Sequence, residues 1–255
     1  MNNNLNNISV VIIVKNGAET IKSVLDSLVS FNDVVIYENG STDGTQAIAK
    51  QFSNVNLVEG DFLGFGPTKN KAATYAKNEW ILSLDADEVV SADMLEDIKC
   101  MELRSSKIYE VSRYNYYKSK KINYCGWGEE RIVRFYNKTV STFNDNMVHE
   151  KILVKNLELT TIEGELKHYP YSSLSQFVQK ADHYSTLFAK DKVGKKSSSP
   201  LKAFLNATFS FIKTYVFKRG FLDGYVGLVI SVSHAVTNFF KYIKLYELNK
   251  ELKEK

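Results

Sequence analysis

The sequence predicts an α/β protein: a mostly parallel central sheet with helices on both faces, followed by a C-terminal helical region. Three observations carry that expectation. Short apolar runs alternate with helix-periodic segments through the first hundred positions. Strand-like stretches follow one another between residues 108 and 170, and from Ser173 the apolar spacing turns helical. Strands alternating with helices at this spacing imply βαβ units, and hence a parallel sheet covered on both sides.

Ile8–Val14 is a continuous apolar run suited to a buried strand. Ile21, Val24, Leu25, Leu28 and Val29 then fall on one helix face. Strand Val34–Tyr37, helix Thr45–Phe52, strand Val55–Val58, helix Thr68–Lys77 and strand Trp80–Leu84 complete the alternation. Ile108–Tyr117, Arg131–Tyr136 and Thr161–Leu166 read as further strands. Ser173 and Gln176 have capping-box spacing ahead of a helix. The Gly194–Pro200 stretch reads as a linker, and two more helices, roughly Leu201–Lys218 and Asp223–Leu248, are broken at Arg219-Gly220.

Composition narrows the class. Hydrophobic residues at 44% and charged residues at 24% of 255 exclude a largely disordered chain. Cys100 and Cys125 cannot build a disulfide scaffold or a four-ligand zinc site, so a reducing cytoplasm is expected. Met1 to Asn7 is polar and asparagine-rich, with no features of a signal peptide. The net charge of +4 conceals an asymmetry: residues 1–189 hold 20 basic and 24 acidic side chains, and residues 190–255 hold 13 and 5. That basic end also carries 11 aromatics, a pattern expected of a membrane surface or a nucleic-acid groove. Its longest uncharged stretch, Gly224–Phe240, is 17 residues and contains several polar side chains, so a membrane span is not expected.

The chemistry-bearing residues sit just after the strands, where parallel sheets bind ligands. Asp85-Ala86-Asp87-Glu88 follows the Trp80–Leu84 strand. Asp85 and Asp87 share one side where the extended geometry persists. Such a pair suits Mg²⁺ or Mn²⁺, which take one or two protein carboxylates and fill other positions with water and phosphates. The competing reading is a cap for a helix near Ser91, a role open to Glu88 or Ser91. The second strand ends in Glu38, a carboxylate placed to accept hydrogen bonds from a base or ribose, within a turn rich in Asn, Gly, Ser, Thr and Asp. No G-x-G-x-x-G opens the first βα unit and no P-loop occurs, which disfavours NAD enzymes and P-loop NTPases.

Taken together, Ile8–Asn16 (ISVVIIVKN), Tyr37–Thr45 (YENGSTDGT), Lys69-Asn70 and Trp80–Glu88 (WILSLDADE) resemble the nucleotide-binding half of family-2 inverting glycosyltransferases, which have the GT-A fold. Cys125–Glu129 (CGWGE), Arg131–Phe135, Val148-His149-Glu150 and His168 follow in the same order. Gly220–Gly224 (GFLDG) is similar to bacterial members that build lipopolysaccharide or lipooligosaccharide cores, often as glucosyltransferases. The resemblance covers about Ser9 to Leu248.

It implies a catalytic domain over residues 1–170 and a helical, membrane-surface or acceptor-associated region over 171–255. Val14, Asn16, Glu38, Lys69 and Asp85 would hold the nucleotide, with Glu38 where the family more often has Asp. Asp87 would be the direct metal ligand, and His168 would complete the metal site or touch the diphosphate. Glu150 falls where the family places its catalytic carboxylate, with Asp145 the alternative base. Trp127 would stack on the acceptor or pack against the sheet, and His149 would touch acceptor or brace its loop. Arg131 and Arg134, read as sharing a strand face, would steer phosphates or pair with Glu129 or Glu130. His183 and His234 read as core residues.

The implied reaction is metal-dependent, inverting transfer of a hexose, glucose favoured, from a UDP-sugar to a lipid-linked saccharide of a lipopolysaccharide core or related surface glycan. The cofactor would be Mg²⁺ or Mn²⁺. The enzyme would work at the inner face of the cytoplasmic membrane, with no nucleic-acid partner. A nucleotidyltransferase would need a glycine-rich basic loop where Lys15-Asn16-Gly17 is short. A non-catalytic membrane adaptor would not need Asp85, Asp87 and Glu150 together.

Overall fold

The computed structural model describes residues 4–147 and 149–254. Met1–Asn3 of the asparagine-rich start and Val148 of the Val148-His149-Glu150 motif lie outside the described residues. In chain order the strands are β1 (Ile8–Val14), β2 (Val34–Glu38), β3 (Val55–Glu59), β4 (Trp80–Asp85), β5 (Glu88–Val90), β6 (Lys107–Tyr117), β7 (Lys120–Lys121), β8 (Glu130–Asn137) and β9 (Glu158–Tyr171). The helices are α1 (Ile21–Asp26), α2 (Thr45–Ala49), α3 (Phe65–Ala73), α4 (Ala92–Cys100), α5 (Leu174–Lys192), α6 (Pro200–Ile212) and α7 (Tyr225–Lys253). Two compact units result: Met1–Tyr114 with Glu129–Tyr169, and Asn115–Gly128 with Pro170–Lys255. Asn115–Gly128, inside the expected 1–170 domain, groups with the helices instead.

In the first unit the strand order is β3-β2-β1-β4-β8-β6-β9-β5. The first four strands are parallel, and β8, β6, β9 and β5 extend them, with β4–β8, β8–β6 and β9–β5 pairing antiparallel. β1 is apolar along nearly its whole length because both of its faces are covered. Val10, Ile12 and Val14 pack with Ile21, Val24 and Leu25 of α1 and with Met94 and Ile98 of α4. The alternate residue Val11 packs on the other face with Ala72 and Ala73 of α3. This is the expected α/β class, with helices on both faces of the sheet.

The register fixes where the site falls. Val14 lies opposite Glu38, and Ile13 lies opposite Asp85. The ends of β1, β2 and β4 therefore finish together at one carboxyl edge.

The second unit is helical. Ser173 caps α5 by accepting from the Gln176 amide at 3.4 Å, while the Ser172 amide donates back to Gln176 Oε1 at 2.9 Å. Ser199 caps α6, with Pro200 at its first turn. The chain then breaks at Arg219, whose φ of 55° is left-handed. In the following Gly-Phe-Leu-Asp-Gly stretch, buried Asp223 accepts from the amides of Asn123 at 3.2 Å and Tyr124 at 2.9 Å. A Cβ at Gly227 would collide with the Gly220 carbonyl, so the start of α7 needs glycine there. His234 is half-buried and lies 3.3 Å from the Thr214 hydroxyl. His183, read above as a core residue, is instead exposed on α5, since the apolar face of that helix runs through Phe177, Ala181 and Ala189.

Candidate active site

At the carboxyl edge the side chains divide into a charge network and a separate pair, Asp87 with His168. The network is centred on Asp85. Its Oδ1 accepts from Lys69 Nζ at 2.8 Å and its Oδ2 from Arg134 Nη2 at 2.6 Å. Lys69 is 2% exposed and also donates to Glu150 Oε1 at 2.8 Å. One buried ammonium thus ties Asp85, at the end of β4, to Glu150, on a loop far along the chain. On the other side Glu88, fully buried, accepts from Arg134 at 2.6 Å and from Arg113 at 2.9 Å. Arg113 in turn reaches Glu130 at 2.5 Å.

Isolated charges at such depth would cost several kcal/mol each, about as much as removing a partner from a buried pair. Here each is paired. Burial works against ionisation of Asp85, but Arg134, then Lys69 and Arg113, outweigh it and hold the carboxyl far below the usual aspartate range. Burial also opposes the charge on Arg134, yet Asp85 and Glu88 raise it above the ordinary arginine value.

Local structure explains how these groups meet. Gly66 lets α3 approach the loop that carries Glu150, because a Cβ there would strike the Asn144 carbonyl. The next turn presents Lys69 and Asn70. Asn70 holds that loop with both ends of its amide: Oδ1 accepts from the Phe143 amide at 2.9 Å, and Nδ2 donates to the Phe143 carbonyl at 2.9 Å. A bridge between Phe143 and Ile152 closes the loop around Glu150. Glu150 Oε2 has no protein donor among the described residues. His149 is exposed with a left-handed φ of 62°, and Asp145 is exposed too.

Arg131 and Arg134 are three apart, which in a regular strand would put them on opposite faces. The ladder skips Arg134, setting Tyr109 opposite Phe135 and Glu110 opposite Val133. This bulge lets both arginines line one cavity of about 520 Å³ with Asp85, Arg113, His149 and Glu150. Asp145 is not among its lining residues. Arg131 pairs with Glu110 at 3.3 Å and lies 3.7 Å from Glu129. The Nε atoms of Arg113 and Arg134 are buried without a partner among the described residues. Unpaired buried donors are costly, and a ligand oxygen would relieve that cost.

Asp87 turns a different way. The extended geometry stops at Asp85, and Ala86-Asp87 form a turn, so the two carboxylates separate. Asp87 Oδ2 lies 3.4 Å from His168 Nε2, brought there by the β5–β9 ladder that sets Glu88 opposite His168. Among the described residues no group of three or more His, Cys, Asp or Glu forms a metal-type cluster. Two protein ligands fit a cation whose remaining positions come from phosphates and water. Ser91, not Glu88, caps α4: its hydroxyl accepts from the Met94 amide at 3.2 Å.

Glu38 is 1% exposed. It accepts from the Ser41 amide, and from Gln46 Nε2 at 2.8 Å. Burial disfavours its charge, but the Ser41, Gln46 and Gly40 donors prevail and hold it below the usual glutamate range. Its carboxylate thus braces the turn that follows β2. Asn16, with φ of 55°, joins that turn: its amide donates to Ser41 Oγ and its Oδ1 accepts from the Thr42 amide, both at 2.8 Å. The Val14 carbonyl accepts from the Asn39 amide at 3.0 Å.

Trp127 lies in the second unit. Its ring stacks with Tyr171 at 5.5 Å and 16°, and Tyr171 stacks on Phe177 at 3.9 Å. Missed by the sequence reading were Asn70 as a clamp, Glu88 as a buried acceptor and Arg113. The polar residue inside Lys69-Asn70 was the only available signal among them.

The family model described as glycosyl transferase family 2 matches residues 9–101, which span β1 through α4 and include Asp85 and Asp87. The chain is 30% identical over 261 residues to an uncharacterized glycosyltransferase of Rickettsia prowazekii, covering 95% of this chain and 87% of that protein. It is 24% identical over 257 residues to the lipopolysaccharide core biosynthesis glycosyltransferase LpsC of Rhizobium meliloti, covering 94% of this chain and 92% of LpsC. Among solved structures, S. aureus TarS in complex with UDP-GlcNAc is similar at 13% identity and a TM-score of 0.46, covering 97% of this chain and 91% of that one. With a relative at this identity matched over most of both lengths, the chain belongs to glycosyltransferase family 2.

Proposed function

We propose that this enzyme catalyses metal-dependent, inverting transfer of a hexose, glucose favoured, from a UDP-sugar to a lipid-linked saccharide of a lipopolysaccharide core or related surface glycan. The observation that carries the reading is the Lys69 bridge, which joins Asp85 at the carboxyl edge to Glu150 on the wall of the same cavity. The likeness to LpsC supports the acceptor class. The Val14, Asn16 and Glu38 turn would receive the nucleoside, and Trp127 and His149 would contact the acceptor.

Glu150 is the general base. Its Oε1 is held by Lys69 while Oε2 takes the proton from the acceptor hydroxyl as that oxygen attacks the anomeric carbon. Such assistance contributes about 10²–10⁴-fold. The hydroxyl enters opposite the departing diphosphate, so an α-linked donor yields a β-linked product and no covalent enzyme intermediate is needed. Arg134 and Arg113 offer unpaired Nε–H donors to diphosphate oxygens. Mn²⁺ or Mg²⁺, held by Asp87 and His168, would neutralise charge on the leaving diphosphate. Work at the inner face of the cytoplasmic membrane fits a lipid-linked acceptor and the basic, aromatic C-terminal region.

The test is a panel of UDP- and GDP-sugars with Mn²⁺ or Mg²⁺, scored by release of nucleoside diphosphate with and without a deacylated core oligosaccharide. Release that depends on both the cation and a UDP-sugar is expected. Equal release without cation would overturn the metal assignment.

A further inference from the structure

The second unit turns an apolar stripe outward. Along α6, Leu201, Phe204, Leu205, Phe209 and Ile212 recur at spacings of three and four, and all are exposed, Phe204 at 61% and Phe209 at 60%. Phe217, just beyond the helix, is 71% exposed. The opposite side of α6 carries small and polar residues: Ala203 is fully buried, and the Ser210 hydroxyl accepts from Asn238 of α7 at 2.9 Å. A surface helix of a globular protein ordinarily directs its large apolar residues to the core and its polar ones to water. This helix does the reverse, and apolar patches of this kind mark interaction surfaces.

The surrounding charge selects the partner. From Gly194 to Leu222 there are six basic residues, Lys195, Lys196, Lys202, Lys213, Lys218 and Arg219, and no acidic one. Lys213, Lys218 and Arg219 are exposed beside the apolar stripe. An anionic bilayer matches both features at once: apolar side chains enter the acyl boundary while cations meet the headgroup phosphates. Among the described residues α7 is the one helix long and apolar enough to cross a membrane. Yet α7 packs along α5 and α6, buries Val226 and Ile230 completely, and sets His234 and Asn238 against Thr214 and Ser210. Those polar partners are inside the unit.

We infer that α6 and the segment down to Leu222 form an interfacial membrane-binding surface, lying in the plane of an anionic bilayer with Phe204, Phe209 and Phe217 inserted, while α7 backs it and does not span. The inference deepens the proposed membrane location and does not depend on which sugar is transferred.

Flotation of the full chain with vesicles tests it. Wild type should float with phosphatidylglycerol–phosphatidylethanolamine vesicles and much less with phosphatidylcholine alone. The double variant Phe204→Ser/Phe209→Ser should lose at least about tenfold in partitioning, with its circular dichroism unchanged because both positions are solvent-exposed. Phe209→Trp should show a blue-shifted emission on adding the anionic vesicles. Undiminished flotation of a folded double variant would overturn the assignment in favour of α7, and absent flotation of wild type would overturn it outright. A concentration-dependent dimer abolished by the same substitutions, without vesicle binding, would assign the stripe to a second copy and overturn it as well. Nucleoside diphosphate release from a UDP-sugar by the same wild-type preparation reports separately on the transfer reading.

Discussion

The two units handle charge and apolar surface in opposite ways. In the sheet unit, Lys69, Glu88 and Arg134 are almost wholly buried and are neutralised through bonds of 2.6–2.9 Å, Lys69 by Asp85 and Glu150, Arg134 by Asp85 and Glu88, and Glu88 by Arg134 and Arg113. In the helical unit the cations Lys213, Lys218 and Arg219 face solvent, and so do large apolar side chains. The first arrangement fixes charges in place before any ligand arrives, which is what stabilising a developing charge requires. The second leaves its binding groups hydrated and separated, which suits a broad, fluid partner. One chain thus combines a prearranged set of buried, paired charges with an exposed surface that is both basic and apolar.

The sharpest way to break this comparison is Glu150→Gln. It should cut kcat by about 10²–10⁴-fold with donor affinity changed little, as read by diphosphate release and donor titration. Asp145→Asn should remain near wild type, and the reverse result would move the base to Asp145. Arg134→Met should lower unfolding free energy by about 3 kcal/mol in a urea titration, at the low end for a broken buried pair, because Glu88 keeps Arg113 and Asp85 keeps Lys69. A neutral result would mean the network does not carry the stability of the sheet unit. Asp87→Asn should remove most of the cation-dependent activity at fixed Mn²⁺, partly recovered at higher Mn²⁺, with thermal unfolding unchanged.

Acid titration should separate the units by the smallest effect. Asp85 and Glu38 are held below their unfolded values, so their stabilisation is complete above about pH 4.5 and is lost only as pH falls further toward their depressed folded values. His234 is also lowered, by burial and then by Lys218 and Lys241. A histidine kept neutral in the fold gains its proton more readily when unfolded, so its stabilisation is full above about pH 6.5 and declines below it. Hydrogen exchange between pH 7 and pH 5 should show α7 loosening while β1 and β4 stay protected. Equal loss in both would remove the distinction.

Much of the sheet unit was legible in the sequence because its signals are local. The apolar runs gave the parallel strands, and the rule for strand ends pointed to Glu38, Asp85 and Asp87. Glu88 was open to misreading as a cap because a carboxylate near a helix start has the same appearance whether exposed or buried. Pairing of Asp87 with His168 depends on the β5–β9 register, which no local pattern carries. The bulge at Arg134 is likewise set by its partner strand, and it aims a side chain that simple alternation would turn away. In the helical unit the periodicity of α6 was visible, but periodicity names a face without saying what covers it. Grouping of Asn115–Gly128 with the helices rests on contacts about a hundred positions away, beyond any window of pattern.

Those distant contacts bear on how the chain is made. The amides of Asn123 and Tyr124 are satisfied by Asp223, and the Tyr124 bond spans 99 residues. On a ribosome adding about 5–20 residues per second, this segment would wait roughly 5–20 s for its acceptor to be synthesised. During that interval the early strands can form while their own insertion remains unfinished. The Gly-Phe-Leu-Asp-Gly stretch is therefore a late latch in biogenesis, and a chain stopped before it would leave the Asn123 and Tyr124 amides without this acceptor.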